Sequence, residues 1–377
     1  MPRPHITFSG YNIIVVGVVV GALAMMVWTQ ACGLLLTHDS RQYLAAAQSF
    51  STSWQFLGTD GTPITYWPPL FPILLSMLPE SVETLRWVHM ILVVILSWQV
   101  HRVFIPTIDN KVLKIAYLIL VLWGVHLLLI TTFVWSEMIF MVLLLAFLQL
   151  LPNVNQSAAK RNLALAVGVL LCLQRHAGVF VVGGATVWLW WQEPGWKQTL
   201  KCLAFFFIAT AGFWLWNWYI SYGLSTNFQL HQHDFGSHVV HNLRFIVWSL
   251  FRQWGPLPES WVWPAFGLGV FAVAVFRKVV FAPALQLVAW ITVCYVAGMA
   301  LLFKLDVHDG DRYVAVIVPL VGGWVFAVLD RLHKVGTRLV RTLLLVAVAG
   351  SLLYGTFRTV RNAQLWHQMS CTSETAK

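Results

Sequence analysis

From Tyr11 to Leu36 the chain runs for about 25 residues without one charged side chain. At a helical rise of about 1.5 Å per residue, such a run crosses a hydrocarbon layer of about 30 Å. Comparable runs recur along all 377 residues. Inside hydrocarbon the backbone must satisfy its own hydrogen bonds, which a helix does within a single segment. The composition agrees. Hydrophobic residues make up 59% of the chain, charged residues only 10%, and mean hydropathy is +0.72, whereas a soluble domain carries about 25% charged residues. The expected fold class is all-α, a polytopic transmembrane helical bundle of about 11 spans (range 10–13) with interfacial juxtamembrane helices in the first outer loop. Spans are expected near 12–36, 84–105, 113–131, 134–151, 161–174, 177–191, 200–221, 260–277, 283–303, 313–330 and 338–357. The expected organisation is one transmembrane module over 1–357, with outer loops at 37–83 and 222–259 and a short tail at 358–377.

The first run is too long for a signal-peptide core and reads as a retained helix. Of the cysteines Cys32, Cys172, Cys202, Cys294 and Cys371, no two form a CxxC pair. Neither a disulfide framework nor a zinc site is expected from them.

A formal net charge of +10 can signal nucleic acid, but multispan proteins concentrate Lys and Arg in cytoplasmic loops. With a cytoplasmic N-terminus, the cytoplasmic segments hold Arg102, Lys111, Lys114, Lys160, Arg161, Lys197, Lys201, Arg277, Lys278, Arg331, Lys334, Arg338 and Arg341. The outer segments are longer in total and hold fewer cations. The charge is thereby explained by the bilayer, and no nucleic acid partner is expected.

The same orientation gathers the unusual polar residues on the outer side: Asp39, Tyr66, Glu137, Arg175, Lys304, Asp306, His308, Asp309, Asp311 and Arg312. Ionisable groups at membrane depth are costly and mark function. Ser40 is expected to N-cap a helix with Tyr43, Leu44, Ala47 and Phe50 on one face, with Asp39 just ahead of it. That carboxylate suits a general base or a metal ligand, or simply a helix cap. "TYWPPLFPILLSMLP" follows, where Pro68 and Pro69 suit the first turn of a short helix at the interface. Glu137 lies one turn inside an apolar span and needs a partner from elsewhere. Arg175 can supply it, or can bind a phosphate with its fork of donors. "HQHDFGSHVVHN" offers His231, His233, His238 and His241, at spacings that match no compact metal site. Acid-rich "DVHDGD" can ligate a divalent cation. Arg312, at the unfavourable positive end of the next helix, calls for an anionic partner such as Asp309, Asp311 or a ligand phosphate.

Taken in order, "HDSRQYLAAAQSF", "YWPPLFPILLS", "WSEMIF", "LQRHAGVFVV", "WLWNWYISYG" and "DRYVAVIVPL" resemble the GT-C superfamily of integral membrane glycosyltransferases. The likeness is to the protein O-mannosyltransferase and aminoarabinose transferase-like group, and it covers residues 10 to 330 or so. The resemblance implies an inverting glycosyltransferase that moves a sugar from a polyprenyl-phosphate donor to an acceptor glycan, lipid or protein. It implies a multi-pass protein of a bacterial plasma membrane with its site facing outward. Asp39 would act as the base. Arg175, Arg312 and Lys304 would hold the donor phosphate, with Tyr66, Glu137, His308, Asp309 and Tyr313 in support. Members often carry paired acids in the first loop, whereas His38 and Ser40 flank Asp39 here, so metal dependence stays open. Only about 20 residues follow the last expected span, so acceptor recognition is expected from outer loops or a partner. A transporter or flippase of a lipid-linked sugar would be expected to show internal repeats and midplane charges, and neither is evident. A polymerase or ligase of surface polysaccharide is the other alternative.

Overall fold

The computed structural model describes residues 10–79, 81–223, 235–256, 258–280, 282–302 and 310–372. Among the described residues the architecture is helical, and the strand-like pairing is limited to two isolated bridges. The first helix, α1 (Gly10–Thr29), is rich in Val, a residue that loses rotamer freedom in a helix. It is helical nonetheless, because a lipid-facing backbone has no water to bond.

The first loop then builds α2 (His38–Ser53) and α3 (Leu70–Ser76), which pack on each other. Leu34, Tyr43, Phe71, Leu75, Leu85 and Val134 form the small apolar core beneath them. The N-cap of α2 is Thr37, whose hydroxyl accepts from the Ser40 N–H. The expected cap at Ser40 is therefore corrected: the helix starts earlier, and Asp39 lies inside its first turn rather than before it.

The chain continues through α4 (Ser81–Phe104), α5 (Lys111–Leu122), α6 (Val125–Thr132) and α7 (Glu137–Leu150). Next come α8 (Ala158–Gln174), α9 (Gly178–Gln192), α10 (Trp196–Ala209) and α11 (Ala211–Trp218). The last third holds α12 (Phe235–Arg252), α13 (Val262–Val275), α14 (Arg277–Val280), α15 (Pro283–Leu302), α16 (Gly310–Val335) and α17 (Arg338–Thr372).

Five described segments are individually long and apolar enough to cross a bilayer: Gly10–Thr29, Val82–Thr107, Lys111–Thr132, Gly310–Val335 and Arg338–Thr372. The pair Trp196–Ala209 and Ala211–Ser221, bent by 50°, makes a sixth if counted as one span. The remaining apolar helices, among them Glu137–Asn153 and Leu285–Leu301, are shorter.

The span 111–132 breaks at Gly124. A Cβ there would collide with the Gln253 side chain and the Leu120 carbonyl, so glycine leaves room at the break for Gln253, the residue after α12. A second close approach opens α16, where a Cβ on Gly310 would enter the Phe245 ring.

The helix ends sort by charge. Asp330 of α16 accepts from the Asn110 N–H at 2.9 Å, and Lys334 pairs with Asp330 at 2.9 Å and with Asp109. This end carries the cations Arg102, Lys111, Arg331 and Arg338 at the ends of α4, α5, α16 and α17. At the opposite end, Cys32 and Cys371 form a disulfide across 339 residues of sequence. That corrects the expectation of no disulfide. Cys32 follows α1 and Cys371 lies in the last turn of α17, and no local spacing reveals that these two helices are adjacent. The last helix also runs on through Thr372, carrying His367 to the Trp28 carbonyl at 2.8 Å.

Candidate active site

Three local breaks in helical structure meet at the end bearing the disulfide. After α1, Leu35 pairs in parallel with Phe133: its N–H donates to the Thr132 carbonyl at 3.0 Å, and its carbonyl accepts from Val134 at 3.4 Å. The Thr131 carbonyl, buried near the end of α6, accepts from Gln30 Nε2 at 2.8 Å and contacts His89 Nδ1 at 2.9 Å. Trp135 Nε1 donates to Thr37 Oγ1 at 2.9 Å. These bonds tie the first turn of α2, which carries Asp39, to the first turn of α7, which carries Glu137.

The third break is the turn between α8 and α9. Arg175 caps α8 in extended backbone, and its guanidinium donates to Ser136 Oγ at 2.9 Å. Gln174 Nε2 donates to the Ser136 carbonyl at 3.0 Å. Arg312, in the first turn of α16, arrives from the far side.

The four charged groups form a chain. Arg175 pairs with Glu137, Glu137 Oε1 lies 3.3 Å from Arg312 Nε, and Arg312 lies 2.6 Å from Asp39 Oδ2. Glu137 is 1% exposed, Arg312 4% and Arg175 8%. Each buried ion costs several kcal/mol of lost hydration, which only close partners offset. Among the described residues, two cations stand against two anions. Both Glu137 oxygens are buried without a well-angled hydrogen bond, so its contacts are ion pairs in the strict sense. Aromatic faces complete the surroundings. The Arg175 guanidinium lies 4.7 Å from the Tyr313 ring, and that of Arg312 lies 5.1 Å from Trp135 and 5.2 Å from Tyr313. A guanidinium over an aromatic face is attracted by the ring quadrupole.

Tyr43 reaches this cluster from α2, with Ser136 as a side-chain partner, and burial pushes its phenol well above the ordinary value. It therefore presents a hydrogen-bond donor rather than a base. His176 beside Arg175 is held down to about 4, by burial first and by the Arg175 charge second.

Of the residues expected at a site, Asp39, Glu137, Arg175, Arg312 and Tyr313 come together. Tyr66 is 73% exposed; its backbone nears His176, not its ring. Lys304, His308 and Asp309 lie outside the described residues, as do Asp306, His231 and His233. Among the described residues the carboxylates paired with Arg312 are Asp39 and Glu137, and Asp311 is not one of them. Asp311 turns to another polar cluster, where it accepts from Ser249 and lies 3.7 Å from His126 Nε2. His126 also contacts Gln253 Oε1 at 2.8 Å. Sequence reading passed over Trp135, Ser136 and Thr37. The first two directly precede Glu137 in "WSEMIF", and that adjacency was their one signal. Among the described residues no group of three or more His, Cys, Asp or Glu side chains is placed to hold a metal ion.

The interfacial pair α2 and α3, the broken helices and the ion cluster at one end define a polytopic helical membrane protein with a GT-C-like fold. The crystal structure of ArnT from Cupriavidus metallidurans bound to undecaprenyl phosphate shares it, with a TM-score of 0.61 at 12% identity, covering 95% of this chain and 77% of that one. The apo crystal structure of ArnT from Cupriavidus metallidurans gives a TM-score of 0.60 at 12% identity, covering 96% of this chain and 78% of that one. No family model matches the chain. No curated protein matches its sequence.

Proposed function

We propose that this chain is an inverting glycosyltransferase that takes a sugar from a polyprenyl-phosphate donor on the outer face of a bacterial plasma membrane. The observation that carries the reading is the pair of buried guanidiniums, Arg175 and Arg312, next to Asp39. The fold it shares with ArnT, whose crystal structure holds undecaprenyl phosphate, supports a lipid phosphate as ligand. The sidedness has two supports. The cations crowd the opposite end, in keeping with the positive-inside rule. The Cys32–Cys371 disulfide lies at the site end, and disulfides persist in oxidising compartments.

In the reaction, Asp39 accepts the proton of an acceptor hydroxyl. The hydroxyl oxygen attacks the anomeric carbon from the face opposite the phosphate. The bond from that carbon to the phosphate oxygen breaks, and its electron pair leaves with the polyprenyl phosphate. Negative charge grows on the departing phosphate, and fixed guanidiniums stabilise such charge more than mobile water does. Glu137 holds both arginines in place meanwhile. Binding of phosphate at Arg312 would also loosen its hold on Asp39, freeing the carboxylate as donor arrives.

The test is to incubate proteoliposomes with a polyprenyl-phosphate sugar labelled in the sugar, together with membrane extract as the acceptor source. Label covalently attached to acceptor, with free polyprenyl phosphate in equal amount, is the expected result. Labelled donor that crosses the bilayer unchanged would replace this reading with a transporter.

A further inference from the structure

The basic end of the bundle contains two adjoining cavities unrelated to the ion cluster. One, of about 340 Å³, lies between α4, α15 and α16, with Arg102, Arg331, Lys334 and Asp330 in its lining. The other, of about 430 Å³, lies between α4, α7, α9 and α15 and is lined in part by Gln149 and Trp188. Arg102 and Val103 belong to both.

We propose that these adjoining cavities, on either side of Arg102, bind the phosphate headgroup of an acidic phospholipid from the leaflet at the basic end. The polar lining is dominated by donors. Lys334 is neutralised by Asp109 and Asp330, but Arg102 and Arg331 have no carboxylate partner among the described residues, and both are exposed at the rim. The Arg102 guanidinium instead sits 5.5 Å from the Trp98 ring. Gln149 Nε2 and Trp188 Nε1 are buried without an acceptor. Guanidinium forks match phosphate oxygens in geometry. The other walls are apolar, including Leu148, Leu285, Leu287 and Val288, which suits the glycerol and upper acyl carbons and does not suit a free anion. The rim is continuous with bilayer-facing surface, since Trp98, one turn before Arg102, is 55% exposed. Basic recesses between spans at the cytoplasmic side commonly hold acidic lipid headgroups.

The test is native mass spectrometry of the full chain released from mixed micelles containing phosphatidylglycerol and phosphatidylcholine. A parallel arm replaces lipid by millimolar inorganic phosphate. The wild-type protein is expected to retain phosphatidylglycerol about tenfold over phosphatidylcholine. In Arg102→Gln/Arg331→Gln that preference should fall to near unity. Lys197→Gln/Lys201→Gln, which removes cations from the same end outside the cavity, should keep it. Both altered arginines are exposed, and an unchanged melting temperature verifies that the variant folds. Equal retention of the two lipids by wild type, or an unchanged preference in the arginine variant, overturns the proposal. So does an equal loss in the lysine variant, or tight binding of inorganic phosphate alone.

Discussion

Replacing Glu137 by glutamine removes one charge from the centre of the buried ion chain without changing its shape. In the native site Glu137 stands against two guanidiniums, Arg175 and Arg312, and is 1% exposed. After the change, Asp39 is the one carboxylate of the cluster left against both cations among the described residues. Removing one partner of a buried pair costs about 3–5 kcal/mol, because the remaining charge stays desolvated. Arg175→Gln should cost a similar amount for the mirror reason, leaving two carboxylates against Arg312. The double variant restores balance, with Arg312 paired to Asp39 at 2.6 Å. Its loss should therefore fall short of the sum of the single losses by about 2 kcal/mol, within the range measured for residues in contact. Unfolding in mixed micelles titrated with a denaturing detergent, followed by the fluorescence of the 21 tryptophans, supplies all three values. Additivity within about 0.5 kcal/mol would refute the account of the cluster as one balanced unit.

Cys32→Ser/Cys371→Ser should lower stability by about 2–4 kcal/mol; melting temperature measures it, and maleimide labelling of the wild type should rise by two sites only after reduction. His176 links stability to pH. Its folded value lies near 4 against an ordinary 6.5, so the unfolded chain binds the extra proton first as pH falls. The stability it contributes is full above about 6.5 and is lost as pH falls through about 4. His176→Asn should blunt the decline of melting temperature across that window.

Legibility from sequence followed the range of the forces involved. Hydrophobic runs are local, so the helical class and the place of most helices could be read directly, whereas five or six described segments, not eleven, are long and apolar enough to cross by themselves. The crowding of Asp39, Glu137, Arg175 and Arg312 toward one end followed from span order and the basic loops, because alternating spans sort residues by side. Which acid meets which arginine could not be read that way. Asp311 precedes Arg312 in sequence, yet successive helical residues point about 100° apart, and Asp311 faces His126 while Arg312 faces Asp39. The Cys32–Cys371 link failed for the same reason, since it needs α1 and α17 as neighbours. The cap at Thr37 rather than Ser40 turned on a long-range bond, from Trp135 to the same hydroxyl. Trp135 and Ser136 were passed over because nothing local marks a tryptophan that lies beneath an arginine from another helix.

The most direct test of the central claim is the transfer rate of Asp39→Asn in proteoliposomes supplied with labelled polyprenyl-phosphate sugar and acceptor. Loss of a general base costs about 10²–10⁴-fold, so the rate should fall by that factor while the variant still retains the lipid phosphate donor through Arg175 and Arg312. A rate within about threefold of wild type, well short of the loss expected for a general base, would contradict the assignment of Asp39 as the base.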